Sequence, residues 1–246
     1  MSAKPFAAVH QWDRNFFAGF LAICWLGVIM GFYPASMARL AGKAAYSAPL
    51  LLHVHALSFV LWLMLLTTQI GLVRHRYTAL HKKLGLASVL LIPVMVVSAV
   101  LSEFNTQRFN FDNPPNSQQF FIIPLAYMLA FAILATCAIL RRSDPPTHKR
   151  LILLATTSIV SAAYSRWIGE WLTATFGDDY WGTVVNTYTG GNAIIVLAIA
   201  YDWATRGQIH WVYKIAVPML IIGELVAVYI YHSPAWLPIA RTIIGR

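Results

Sequence analysis

Two histidines one residue apart, His53 and His55, open a long apolar run in the stretch LLLHVHALSF, and a third, His232, closes another run near the C-terminus. Imidazoles at one depth on different helices are what a six-coordinate haem b requires as axial ligands. With a carboxylate such as Glu103 or Glu224, the same histidines would offer a mixed nitrogen and oxygen set for zinc, iron or copper. His53 and His55 stand about 200° apart around a helix, so one of them at most can face a core. Glu224 lies several residues inside LIIGELVAVYIYH, where a carboxyl is suited to carrying a proton. Arg166 also lies inside an apolar block, where it would neutralise a haem propionate or another anion. Glu170 follows it at i,i+4, the spacing of a pair along one helix face.

The elements that must position these residues are set by hydropathy. The chain has 246 residues, 59% hydrophobic and 11% charged, outside the usual soluble mixture. Apolar runs of membrane-crossing length cover about residues 16–33, 50–73, 84–101, 120–140, 151–168, 184–201 and 212–231. Each must be a helix, because hydrocarbon offers the backbone no other hydrogen-bond partner. The expected fold is an all-α, seven-helix membrane bundle forming a single domain over residues 1–246. Ser47 and Pro49 suit the start of the second helix. Pro93, Pro124 and Pro218 lie within spans and predict local kinks. The connection from Ser102 to Gln119, with NFDNPPNSQQ, reads as an irregular loop. The N-terminal segment lacks a small-residue cleavage site after its apolar run and reads as retained. Cys24 and Cys137 fall within apolar blocks and read as packing residues, not as a disulfide framework.

The net charge of +9 does not point to nucleic acid, because the basic residues are scattered over short connections. Lys4, Arg14, Arg74, Arg76, Lys82, Lys83, Arg141, Arg142, Lys149, Arg150, Arg206 and Lys214 all fall on one side. Arg39, Lys43, Arg108, Arg241 and Arg246 fall on the other. The positive-inside rule then expects a cytoplasmic N-terminus and an outside C-terminus. With that orientation the outer half of the bundle gathers His53, His55, Glu103, Tyr164, Arg166, Glu170, Asn186, Tyr188, Asn192, Glu224 and His232. Polar groups are costly in lipid and tend to face a functional interior.

Each feature also has a plainer role. Histidines at helix ends are often interfacial, and Trp and Tyr near span ends form aromatic belts. Arg166 with Glu170 would serve as an internal ion pair, and Ser158, Ser161 and Ser165 as a packing stripe. His75, His81, His148 and His210 sit among lysines and arginines, which suits a basic face against anionic headgroups. His81 with His148 is the one inner pair comparable to the outer histidines.

The phrases LHKKLG, HKRLILLAT, YDWATRGQIH and SPAWLPIAR, in that order, resemble those of a group of uncharacterised bacterial multi-span membrane proteins. The resemblance covers most of the chain from His53 onward and implies the bacterial inner membrane. More distantly, a histidine-bearing helix followed by an LHxxLG-like turn is similar to small bacterial cytochromes b and ferric-reductase-like proteins. Paired histidines on neighbouring helices bind haem in those families. This chain departs from them, since its inner histidines lie in charged connections.

Three functional expectations result. The first is electron transfer through haem b held by His53 or His55 with His232, assisted by Arg166, with a quinone as a candidate electron partner. The second is an outward-facing metal enzyme using His53, His55, His232 and Glu103, with Glu224 as the catalytic acid or base; no HExxH motif accompanies it. The third is a non-catalytic carrier or accessory subunit of a larger membrane complex, binding a lipid-like or anionic ligand. A retinal Schiff base is not expected, because Lys214 lies at the edge of the last span.

Overall fold

The computed structural model describes residues 6–44, 48–110 and 117–245, and regular structure among them is entirely helical. The helices are α1 (Asp13–Leu40), α2 (Leu50–Arg74), α3 (Thr78–Gly85), α4 (Ala87–Asn110), α5 (Ile122–Leu140), α6 (Pro145–Phe176), α7 (Tyr180–Arg206), α8 (Trp211–His232) and α9 (Trp236–Ile244). A 3-10 turn, Ser117–Phe121, leads into α5. Seven segments are long and apolar enough to cross a membrane, α3 and α4 together forming one of them. The chain is a multi-pass helical membrane protein.

Several helices run beyond their apolar cores. At about 1.5 Å per residue, the 32 residues of α6 exceed a hydrocarbon core of about 30 Å. Hydropathy marks the part of a helix that lies in lipid, whereas capping marks where the helix ends. Asp144 Oδ1 accepts from Thr147 N at the start of α6, Asp179 Oδ1 from Gly182 N at the start of α7, and His210 Nδ1 from Val212 N at the start of α8. The expected loop from Ser102 is helical as far as Asn110, and residues 111–116 lie outside the described residues, as do Lys4, Ser47 and Arg246. Pro93 and Pro218 stand inside α4 and α8. Pro124 instead occupies the first turn of α5, where its missing N–H breaks no helical bond.

The most buried span is α6, although it and α7 are the least apolar of the seven. Its neighbours are protein: α6 packs on α1, α5, α7 and α8. The second helix pairs with α1 and α4, α4 continues to α5, and α8 packs on α5 and α7. Small residues bring the central helices close. A Cβ on Gly31 would collide with the Ala163 carbonyl, and one on Gly190 with the Tyr164 ring. The core behind them includes Cys24, Trp62, Met95, Phe131, Leu153, Leu154 and Ile195. On the face opposite the N-terminus, α9 is tied down by Trp236 Nε1 on Gln119 O at 3.0 Å and by Arg108 Nε on Ile244 O at 2.7 Å.

Candidate functional site

In the core α2 and α6 are joined, since Trp62 Nε1 donates to Thr156 Oγ1 at 3.1 Å. Nearer the far face, Arg166 on α6 is exposed although its charge reaches His55 on α2, Glu103 on α4 and Tyr127 on α5. Its guanidinium lies 5.0 Å from the ring centre of Phe32 on α1. Arg166 thus stands exposed near polar groups from α2, α4 and α5 and an aromatic ring from α1, a polar cluster in the half of the bundle away from the N-terminus.

Two of the buried polar atoms in this half have no partner. His55 Nδ1 is buried and makes no hydrogen bond, its ring leaning on Phe59 at 4.4 Å. His53 points outward and is exposed, as the 200° separation requires. Glu103 accepts from Gln107 Nε2 at 2.7 Å, while the buried Gln107 Oε1 has no donor. Such orphaned groups are uncommon in folded proteins and mark places where a water or ligand belongs.

A second polar group lies beside it on α5, α7 and α8. Asn192 Nδ2 donates to Glu224 Oε2 at 2.8 Å. The Tyr127 and Tyr188 rings meet edge to face at 5.4 Å, and both lie within electrostatic reach of Glu224. Tyr127 Oη donates to Thr187 O at 2.9 Å, whereas the buried Tyr188 hydroxyl has no partner.

Other expected site residues are used for packing. Tyr164 Oη donates to Ile23 O at 2.9 Å and fastens α6 to α1. Asn186 Nδ2 donates to Thr173 Oγ1 at 2.9 Å and fastens α7 to α6. Arg166 and Glu170 form no pair. Arg166 Nη1 reaches back to Ala162 O at 2.8 Å, because long helical side chains point toward the preceding turn, and Glu170 is exposed. His232 is exposed, and its Nε2 lies 2.9 Å from Thr183 Oγ1. The histidine helices α2 and α8 pack on different neighbours, α2 on α1, α3 and α4 and α8 on α5, α6, α7 and α9. Among the described residues, no three His, Cys, Asp or Glu side chains gather as a metal-binding group.

The largest charged cluster was not foreseen from sequence, which assigned its basic members to topology and headgroups. Asp13 on α1 accepts from Lys149 Nζ on α6 at 2.7 Å, and from Tyr201 Oη and Arg206 Nη2 on α7, each at 2.7 Å. Arg150 on α6 makes a two-pronged ion pair with Asp202 on α7, both side chains 2% exposed. The N-terminal segment covers this cluster. Arg206 Nε donates to Ala7 O and Lys149 Nζ to Ala8 O, and Phe6 lies beneath the Arg150 and Arg206 guanidinium groups. His210 meets Phe6 edge-on, and burial followed by the Arg150 charge pulls its pKa down to about 4. One signal was available in sequence: Asp202 and Arg206 stand i,i+4 at the end of an apolar run.

No family model, curated protein or solved structure matches the chain.

Proposed function

We propose that this chain is a ligand-binding protein of the bacterial inner membrane, with a cytoplasmic N-terminus and a cleft in its outer half. The ligand is a lipid-like molecule whose polar head carries an anionic group, held by Arg166 and His55. The observation that carries this reading is Arg166 itself: exposed within an apolar span, tied to no carboxylate, and accompanied by the unpartnered His55 Nδ1. An arginine fork is well matched to a carboxylate or phosphate. Tyr127, Tyr188, Asn192 and Glu224 would shape the inner wall.

The test is mass spectrometry of what co-purifies with the protein in mild detergent. The wild type should carry a lipid-like species that Arg166→Gln loses, with both proteins equally monodisperse. Equal content in the two proteins would overturn the reading.

A second reading, haem b for membrane electron transfer, rests on the other end of the bundle. His148 Nδ1 lies 2.8 Å from Ala138 O, which would leave Nε2 for a metal, and the buried His81 Nδ1 has no partner. Reduced-minus-oxidised optical spectra decide it: cytochrome bands lost in both His81→Ala and His148→Ala would favour it, and a featureless spectrum from haem-supplied cells would end it.

A further inference from the structure

Residues 6–9 belong to no helix, yet they lie across the charged ends of α6 and α7 as a strap. Arg206 Nε donates to Ala7 O at 3.0 Å, and Lys149 Nζ donates to Ala8 O at 3.1 Å. The Phe6 ring lies 4.5 Å from the Arg150 guanidinium, 5.2 Å from that of Arg206 and 4.6 Å from the His210 ring. The side chains of Ala7, Ala8 and Val9 are turned to the outside and exposed.

Beneath the strap the charges do not balance. Among the described residues, Lys149, Arg150 and Arg206 are paired with Asp13 and Asp202, three cations against two carboxylates. Both carboxylates are fully engaged: Asp13 by Lys149, Arg206 and Tyr201, and Asp202 by Arg150 and Arg206. The unmatched positive charge therefore falls to two neutral carbonyl oxygens, beside an Arg206 side chain that is 0% exposed. A charged oxygen is the stronger acceptor for an ammonium or a guanidinium. What the strap has in its favour is attachment, which holds its carbonyls at a high effective concentration.

Asp13 fixes the two donors side by side, since Lys149 and Arg206 each meet its carboxylate at 2.7 Å. Their remaining N–H groups turn to consecutive carbonyls of the strap. We infer that the strap occupies an anion site, and that a singly charged phosphate group replaces the Ala7 and Ala8 carbonyls when it lifts. Two phosphate oxygens match the two donors, and one negative charge cancels the one left over. A doubly charged anion would meet repulsion from Asp13. This site lies at the opposite end of the bundle from Arg166 and does not depend on the ligand proposed there. Two sources share the required chemistry: a phosphodiester lipid headgroup and free phosphate.

The experiment is a thermal-shift titration of the full chain in mild detergent, with short-chain phosphatidylglycerol and with inorganic phosphate in mildly acidic buffer. Which probe binds identifies the source. Binding to the wild type must first lift the strap, so its apparent affinity is reduced by the fraction of open molecules. Phe6→Ala removes the ring that holds the strap on two guanidinium groups and should tighten binding about tenfold. Phe6→Leu, which keeps apolar cover without the aromatic face, should act in the same direction and serves if the alanine variant aggregates. Adding Lys149→Gln should abolish the gain. Phenylglyoxal, which modifies accessible guanidinium groups, should label Arg206 slowly in the wild type, faster in the Phe6 variants, and slowly again once the probe is bound. Binding of neither probe, equal affinity in wild type and a folded Phe6 variant, or a gain that survives Lys149→Gln would overturn the inference.

Discussion

Arg150 of α6 and Asp202 of α7 meet through two parallel hydrogen bonds in a site where neither side chain is more than 2% exposed. The pair locks the two central helices at the end where the N-terminal segment folds over them. Its value is conditional, because each charge is tolerated only in the presence of the other.

Asp202→Asn should therefore destabilise the protein by about 3–5 kcal/mol, by leaving Arg150 buried without its counter-charge. Arg150→Met with Asp202→Leu should cost less than either single change. Unfolding in detergent followed by tryptophan fluorescence checks both, and an additive double variant would show that the pair is not coupled.

Gly31→Val should be among the most damaging single substitutions outside the charged clusters. Any Cβ there enters the Ala163 carbonyl, which is backbone and has no rotamer to yield. Tyr164→Phe, by contrast, removes only the bond to Ile23 O and should cost about 1 kcal/mol. The ratio of monodisperse to aggregated protein on size exclusion would rank the two.

His210 makes stability depend on acidity. Its folded pKa of about 4 lies below the ordinary histidine value of about 6.5. The unfolded chain thus binds the proton first as pH falls. Stability from this group is intact above about 6.5, declines as pH drops, and reaches its floor below about 4. Protonation also removes the Nδ1 acceptor that caps α8. His210→Asn, which can keep a cap, should flatten melting temperature against pH across that window; an unchanged slope would assign the dependence elsewhere.

His232→Ala should cost about 1 kcal/mol through its lost bond to Thr183 and should leave ligand affinity unaltered. A tenfold loss of affinity would bring His232 into the site.

The seven crossings were legible because the length of an apolar run is a local property, independent of what surrounds it. The same run gave helix ends too short wherever a cap such as Asp144 or Asp179 carries the helix beyond the lipid. Alternating crossings assign His55, Glu103 and Arg166 to one half of the bundle from sequence, but they do not say which of these side chains meet. Partner choice was not legible. The spacing of Arg166 and Glu170 suits a pair, but the guanidinium finds a nearer carbonyl at Ala162. Lys149 and Arg206 resemble topology signals until Asp13 is brought to them, and no local pattern encodes that meeting.

Asp13 touches Lys149, Tyr201 and Arg206 across 136, 188 and 193 residues of chain. A ribosome delivers the first helix long before α6 and α7 exist. During synthesis the carboxylate must wait at the membrane surface, hydrated or in the care of another protein, until α6 and then α7 have been threaded. The clasp thus closes only once α7 has been made, and a chain truncated before Tyr201 would hold Asp13 through Lys149 alone of the three.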